Sequence, residues 1–266
     1  CETDNDYIIS GNNFEYTLSK NIGAFTSIKK SGIEQLCEPV QLTVMRAATD
    51  NERNIKNKWY QAMENWEAER IDKLFSKTYS TSRNENVITV KSSLSGVGRS
   101  PFFRYETAYT FFADGTVKIS LTGDVREKCI WLPRLGFEFR VPYDNDSFKY
   151  FGMGSGENYI DMHYHAKIGW YSSCADNEYV NYVMPQEHGN HIRTKVLDMR
   201  NGLKFTSDTG FEFNVSHYNA YMLRDALHID ELKKDKDTII RIDYKDSGIG
   251  SNSCGPELLE KYRLSE

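Results

Sequence analysis

The sequence predicts an all-β protein, one large antiparallel β-sandwich carrying one or two short helices. Three observations lead there. Aromatic residues make up 13% of the 266 positions, with 17 Tyr, 14 Phe and 4 Trp, and such rings combine large buried area with strand preference. Short runs of alternating apolar and polar residues recur along most of the chain, separated by Gly, Asn and Asp. Helical periodicity is confined to a few stretches.

The strands follow in order. DYIISGNNFEYTLSKNIGAFTSIKKSGIEQL, from Asp6 onward, reads as short strands broken by Gly and Asn turns. ENVITVKSSLS alternates around Val87 and Val90. FRYETAYTFFADGTVKISLTGDV is the strongest local signal. Tyr105, Ala108 and Phe111 precede Asp114-Gly115, and Val117, Ile119 and Leu121 follow. Asp-Gly between such runs predicts a hairpin with a two-residue type I′ turn, in which both central residues take positive φ. WLPRLGFEFRVP gives a strand with Leu135, Phe137, Phe139 and Val141 on one face. GFEFNVSHY and DTIIRIDY repeat the same grammar.

The best helical stretch is NIKNKWYQAMENWEAERI, residues 54–71. Ile55, Trp59, Ala62, Met63 and Trp66 recur there at spacings of three and four, which lines one helix face. A shorter helix is expected at NAYMLRDAL, residues 219–227. No linker, repeat or low-complexity tract interrupts the chain, so residues 1–266 read as a single domain.

Charge and composition narrow the function classes. The net charge is −5 with no long basic run, which argues against a nucleic-acid partner. No stretch approaches the ~18 consecutive apolar residues of a membrane span. The opening CETDNDYIIS has no signal-peptide pattern. Lacking an initiating Met, the chain reads as a piece of a longer protein. Five cysteines, at 1, 37, 129, 174 and 254, are odd in number and widely spaced. They predict reduced thiols and no disulfide scaffold.

Three constellations are candidates for chemistry. Glu157 and Asp161 in GSGENYIDMHYH, with Glu187 in YVMPQEHGNHIR, supply carboxylates of the kind that hydrolyse glycosidic bonds when two flank the bond. The alternative is loop carboxylates bonded to backbone or Arg. His163, His165, His188 and His191 cluster in sequence. His163 and His165 would share a strand face suited to a metal, against the plainer reading of hydrogen-bonded loop histidines. Cys254 stands in DSGIGSNSCGP, but no histidine lies close in sequence to activate it as a nucleophile. GMGSG at 152–156 has neither dinucleotide nor phosphate-loop spacing.

Four stretches taken together carry a resemblance. They are MRAATDNERN (45–54) with Trp59, YFGMGSGENYIDMHYHAKIGWY (150–171), YVMPQEHGNHIRTKVLDM (182–199) and DYKDSGIGSNSCGPELLEKYRL (243–264). In this order and spacing they resemble the C-terminal domain of the family 2 β-galactosidases, across essentially the whole chain. The resemblance implies a galactose mutarotase-like super-sandwich. It implies a larger cytoplasmic enzyme that hydrolyses terminal β-D-galactosides, such as lactose, with retention, and that forms homo-oligomers. Its catalytic glutamates and its Mg and Na belong to a TIM barrel outside this chain. This chain is then expected to hold no catalytic residue and no cofactor. Glu157 and Glu187 become loop-holding groups. The loop with Asn252, Ser253 and Cys254 reaches the barrel's active site and touches substrate. The position of Cys254 is Trp in the best-known members and Cys in another branch, so the thiol is a smaller pocket wall. Departures are mild: Ala48 replaces the usual Pro, Glu52 the usual Asp, and His191 the usual Arg. Three other readings stay open: a separate small subunit, a stand-alone aldose epimerase, and a carbohydrate-binding module.

Overall fold

The computed structural model describes residues 1–53, 66, 68–126, 131–200, 202–250 and 258–264. Among these, antiparallel strands dominate, as the alternating pattern predicts. The chain divides into two compact units, chiefly Cys1–Gln41 with Trp66–Cys129, and Leu42–Asn65 with Ile130–Ser265.

The first unit holds two four-stranded sheets in meander order. One contains β1 (Asp6–Ser10), β2 (Phe14–Ser19), β3 (Phe25–Lys30) and β4 (Ile33–Glu34). The other contains β6 (Leu74–Asn84), β7 (Val87–Gly96), β8 (Phe103–Phe111) and β9 (Val117–Val125). Leu18, Phe25, Ile88, Val90, Leu94 and Tyr109 are buried. Phe25 meets Tyr109 edge-on, with centroids 5.1 Å apart, a geometry that aligns ring edge with ring face.

The β8–β9 hairpin forms where expected, but its turn is not type I′. Gly115 has φ +88, whereas Asp114 is absent from the positive-φ residues. Gly115 N donates to Phe112 O at 3.0 Å and Phe112 N to Thr116 O at 2.9 Å. The loop is therefore three residues long, with Gly115 alone left-handed. Asp114 instead accepts Thr116 N–H at 2.8 Å through Oδ1. That local bond favours the longer loop over a strained Asp.

The second unit is built on a seven-stranded sheet of order β12-β11-β13-β14-β15-β10-β5. Its strands are β5 (Glu38–Thr43), β10 (Arg134–Pro142), β11 (Ser147–Gly154), β12 (Lys167–Cys174), β13 (His191–Met199), β14 (Lys204–Ser216) and β15 (Asp237–Asp246). The division between the units falls within β5. Short helices accompany them, among the described residues α1 (Asp50–Arg53) and α2 (Ala220–Asp225). The helix expected in NAYMLRDAL is α2, capped by Asn219, whose side chain accepts from Tyr221 N and Met222 N. Of the stretch 54–71, residues 54–65 and 67 lie outside the described ones, and with them Ile55, Trp59, Ala62 and Met63. Trp66, Ala68 and Glu69 are helical, and Trp66 is buried.

Register decides the character of the central strands. Phe139 pairs with Ile240, which pairs with Val215; Phe137 pairs with Ile242, which pairs with Phe213. These rows form an apolar face, as the alternation in WLPRLGFEFRVP requires. On the opposite face Glu138 pairs with Arg241 and Arg241 with Asn214, while Gly136 pairs with Asp243 and Asp243 with Glu212. Alternation of this kind ordinarily sends the polar face to water. Here Arg134, Arg241, Asp243, Glu212 and Asn214 are all buried.

Candidate functional site: a buried ionic face that roots a loop

The polar face of β10, β15 and β14 is covered by three of the four stretches that carried the resemblance, and the fourth supplies the end of β15. Arg241 grips Glu187 in a two-pronged fork, with Nη1 to Oε2 at 2.9 Å and Nη2 to Oε1. Arg134 grips Asp243 through Nε and Nη2, the latter at 2.8 Å, and reaches Met45 O with Nη1 at 3.1 Å. Arg46 binds both Glu52 and Asp246. Bidentate charge-assisted bonds of this type are strong and directional.

Five carboxyl groups (Glu52, Glu187, Glu212, Asp243 and Asp246) meet three guanidiniums (Arg46, Arg134 and Arg241) in this buried cluster. The surplus of acid shows in their proton affinities. Burial raises Asp246 from 3.8 to about 7, against the pull of Arg46. Burial, with Asp246 nearby, pushes Glu212 well above the usual carboxylate range. Burial also raises Asp243, opposed by Arg134 and Arg241. For Glu187 burial is outweighed by Arg241, and its carboxyl is lowered. Charge in a low-dielectric interior persists only where it is paired. At Glu187 the fork outweighs burial, whereas at Asp243, Asp246 and Glu212 burial prevails.

This cluster holds a loop. Arg46 donates to Ser247 O at 2.5 Å and to Gly248 O at 3.0 Å. Asp161 accepts Ile249 N–H at 3.1 Å and Gly250 N–H at 3.0 Å. Asn51 Nδ2 donates to Ile249 O at 2.9 Å. Glu52 reaches back to the start of α1: its Oε2 accepts Thr49 N–H at 2.9 Å while its other oxygen meets Arg46. Residues 247–250, the root of DSGIGSNSCGP, are therefore fixed by side chains from MRAATDNERN and GSGENYIDM. Asn252, Ser253 and Cys254 lie outside the described residues.

The other carboxylate also holds backbone. Glu157 accepts from Tyr182 Oη at 2.5 Å and from Gly189 N–H at 2.8 Å. Both glutamates thus have the Arg or N–H partners expected of loop-holding groups.

The histidines depart from the strand-face expectation. Residues 158–166 form turns between β11 and β12, not a strand. Tyr159 and Met162 exchange both backbone hydrogen bonds, at 2.9 and 3.0 Å, which closes the chain too tightly for His163 and His165 to line an extended face. His163, His165 and His188 each place one ring nitrogen on a carbonyl oxygen, of Tyr159, Glu157 and Gln186 respectively. His191 is buried, with Nε2 2.7 Å from Glu178 and Nδ1 3.2 Å from Tyr150 Oη. The imidazole at this position thus faces an acid. Among the described residues, no group of three or more His, Cys, Asp or Glu could hold a metal ion. Cys1 and Cys174 are free thiols; Cys129 and Cys254 lie outside the described residues. No helix among the described residues is long and apolar enough to cross a membrane.

Sequence reasoning did not single out Arg46, Arg134, Arg241, Glu212, Asp243 or Asp246. A signal was present: charged residues alternate with large apolar ones in RLGFEFR, GFEFNVS and IIRIDY. Nothing local separates that pattern from an ordinary solvated sheet face.

The β-galactosidase of Actinobacillus pleuropneumoniae is 34% identical over 257 residues, covering 95% of this chain and 25% of that protein. That of Kluyveromyces lactis is 30% identical over 276 residues, covering 96% and 26%. That of Staphylococcus xylosus is 29% identical over 261 residues, covering 96% and 26%. The chain spans about a quarter of the length of these curated relatives. A solved galactose mutarotase-like protein from Lactobacillus casei covers 98% of this chain and 93% of its own, at 10% identity and a TM-score of 0.44. That likeness is too distant to bear on function. The family model described as the β-galactosidase small chain matches residues 10–266, and the chain belongs to that family.

Proposed function

We propose that this chain is a single non-catalytic C-terminal domain of a larger cytoplasmic β-galactosidase, and that Asn252, Ser253 and Cys254 of DSGIGSNSCGP (246–256) form part of the sugar site. The observation that carries the reading is coverage: relatives named β-galactosidase match nearly all of this chain with a quarter of their own length. In the longer protein, hydrolysis with retention would use two carboxylates flanking the bond, supplied by a barrel that also holds Mg and Na. Glu157 and Glu187 are poorly placed for such work, because both oxygens of each are already bonded. The clamps on residues 247–250 support a positioning role for this segment. Asn252, Ser253 and Cys254 then line the aglycone side of the pocket. A thiol offers a sugar ring less contact than an indole.

The purified 266-residue chain is expected to release no nitrophenol from a nitrophenyl β-galactoside. Turnover comparable to the full-length protein would sink the reading. In the full-length protein, Cys254→Trp is expected to lower KM for lactose and Cys254→Ala to leave it near the parent value. An unchanged KM in both would remove the loop from the site. The small-chain description of the family favours one second reading, a separate small subunit of a two-chain enzyme. The length of the open reading frame decides between them.

A further inference from the structure

At its β12 end the seven-stranded sheet breaks the usual rule for an outer face. Tyr150 on β11 and Leu197 on β13 are paired and buried. Tyr150 meets Phe213 edge-on, with centroids 5.0 Å apart, so this side of the strands is core. The alternate side chains point the other way and should be polar. They form instead the row Trp170–Phe151–Val196, which crosses β12, β11 and β13 in register. Ile168 stands two residues from Trp170 on the same side. Trp170 is 55% exposed and Ile168 57%, while Phe151 and Val196 are half-buried. The rings of Phe151 and Trp170 lie 5.4 Å apart, so the apolar surface is contiguous. Contiguous apolar surface of this kind marks an interaction site, where scattered single residues would not.

The neighbouring row selects the partner. Lys149 on β11 pairs with Asp198 on β13, and Asp198 with Lys204 on β14; all three are exposed. Lys149 turns toward β12, with Nζ 4.9 Å from the Trp170 ring centre. Opposite charges therefore occupy adjacent strands at one height, with Phe151 and Val196 in the row beside them. Two such faces complement each other about a two-fold axis lying between them, parallel to the strands and midway between β11 and β13. That operation sets Lys149 of each copy opposite Asp198 of the other, and Phe151 opposite Val196. A two-fold contact has to be self-complementary in this way, and an apolar centre with a charged rim is its ordinary anatomy. A uniformly basic or acidic partner would instead place one of these two charges against its own sign.

We infer that the outer face of β12, β11 and β13 is a two-fold interface between copies of this chain, with Lys149 and Asp198 as its reciprocal ion pair. The inference does not rest on the proposed hydrolase role.

Sedimentation of the full-length protein tests it. The parent is expected to run as a dimer or a larger even-numbered assembly. Lys149→Glu alone and Asp198→Lys alone each set like charges across the axis. Either should raise the dissociation constant about tenfold or more, halving the mass at concentrations where the parent is just assembled. The two reversals combined recreate the pair and should restore the parent mass. Trp170→Ser removes the aromatic anchor and should weaken the assembly by a similar factor. An unchanged Tm confirms that each variant folds. A monomeric parent, or no recovery in the double reversal, overturns the inference. An unchanged mass in the folded single variants also overturns it, and would give this face to another part of the longer protein.

Discussion

Glu212 sits on the inner face of β14, fully enclosed, and accepts from Asn190 Nδ2 at 2.8 Å. No guanidinium is bonded to it, and Asp246 and Asp243 add negative charge nearby. An acid whose folded-state pKa is raised keeps its proton at a pH where the unfolded chain has lost it. Folding then takes up a proton, and stability falls as pH climbs from the unfolded value toward the folded one. For Asp246 that window runs from 3.8 to about 7; Glu212 extends the same trend upward from 4.5. Glu187 acts in the opposite sense, since its pKa is lowered. Glu212→Gln keeps the shape and the acceptor oxygen without the titration. The variant is expected to lose less stability than the parent between pH 5 and pH 8, read by urea unfolding at each pH. Parallel pH profiles would show that Glu212 is not the proton's seat. The resemblance marked Glu187 as a loop holder, and the fork with Arg241 agrees. Glu212 had no such marker, because its acidity is set by residues distant in sequence.

At the scale of elements, local signals were most reliable where the chain itself closes the structure. The β8–β9 hairpin and α2 both lie where turn chemistry and capping put them, as does the apolar face of β10. The turn between β8 and β9 differed in type because Asp114 can bond Thr116 N–H without entering the left-handed region. Gly115 alone takes that conformation, and a Cβ there would stand 2.7 Å from Phe14 Cδ1. Gly115→Ala therefore meets both backbone strain and a ring, and should cost about 1–3 kcal/mol. A loss below about 0.5 kcal/mol on denaturant unfolding would show that Phe14 moves aside freely. The turns at 158–166 were less legible. Alternation in DMHYH mimics a strand, but paired backbone bonds between Tyr159 and Met162 take precedence over a two-residue spacing.

Across the whole molecule, the two compact units each bury their own aromatic core, around Phe25 and Tyr109 in one and Phe139 and Phe213 in the other. Reading the chain as one domain makes a definite prediction. Phe25→Ala and Phe213→Ala, each costing about 3–5 kcal/mol, should both lower one common unfolding transition. Two transitions, with each variant shifting only one, would separate the units. Composition and alternation determined by themselves that this is an antiparallel β protein, because period-2 burial is a property of each strand alone. The four ordered motifs determined the family for the same kind of reason: they are local and stand in sequence. The fate of the polar face was decided only by tertiary structure. Arg134, Arg241, Asp243 and Glu212 alternate in a way that ordinarily points to water. They are buried because segments far away in the chain, around Arg46 and Glu187, fold over them; Glu187 supplies the charge opposite Arg241, while Arg134 and Asp243 pair across the face itself. A strand carries the period of its side chains, but which of its two faces meets solvent depends on what packs against it.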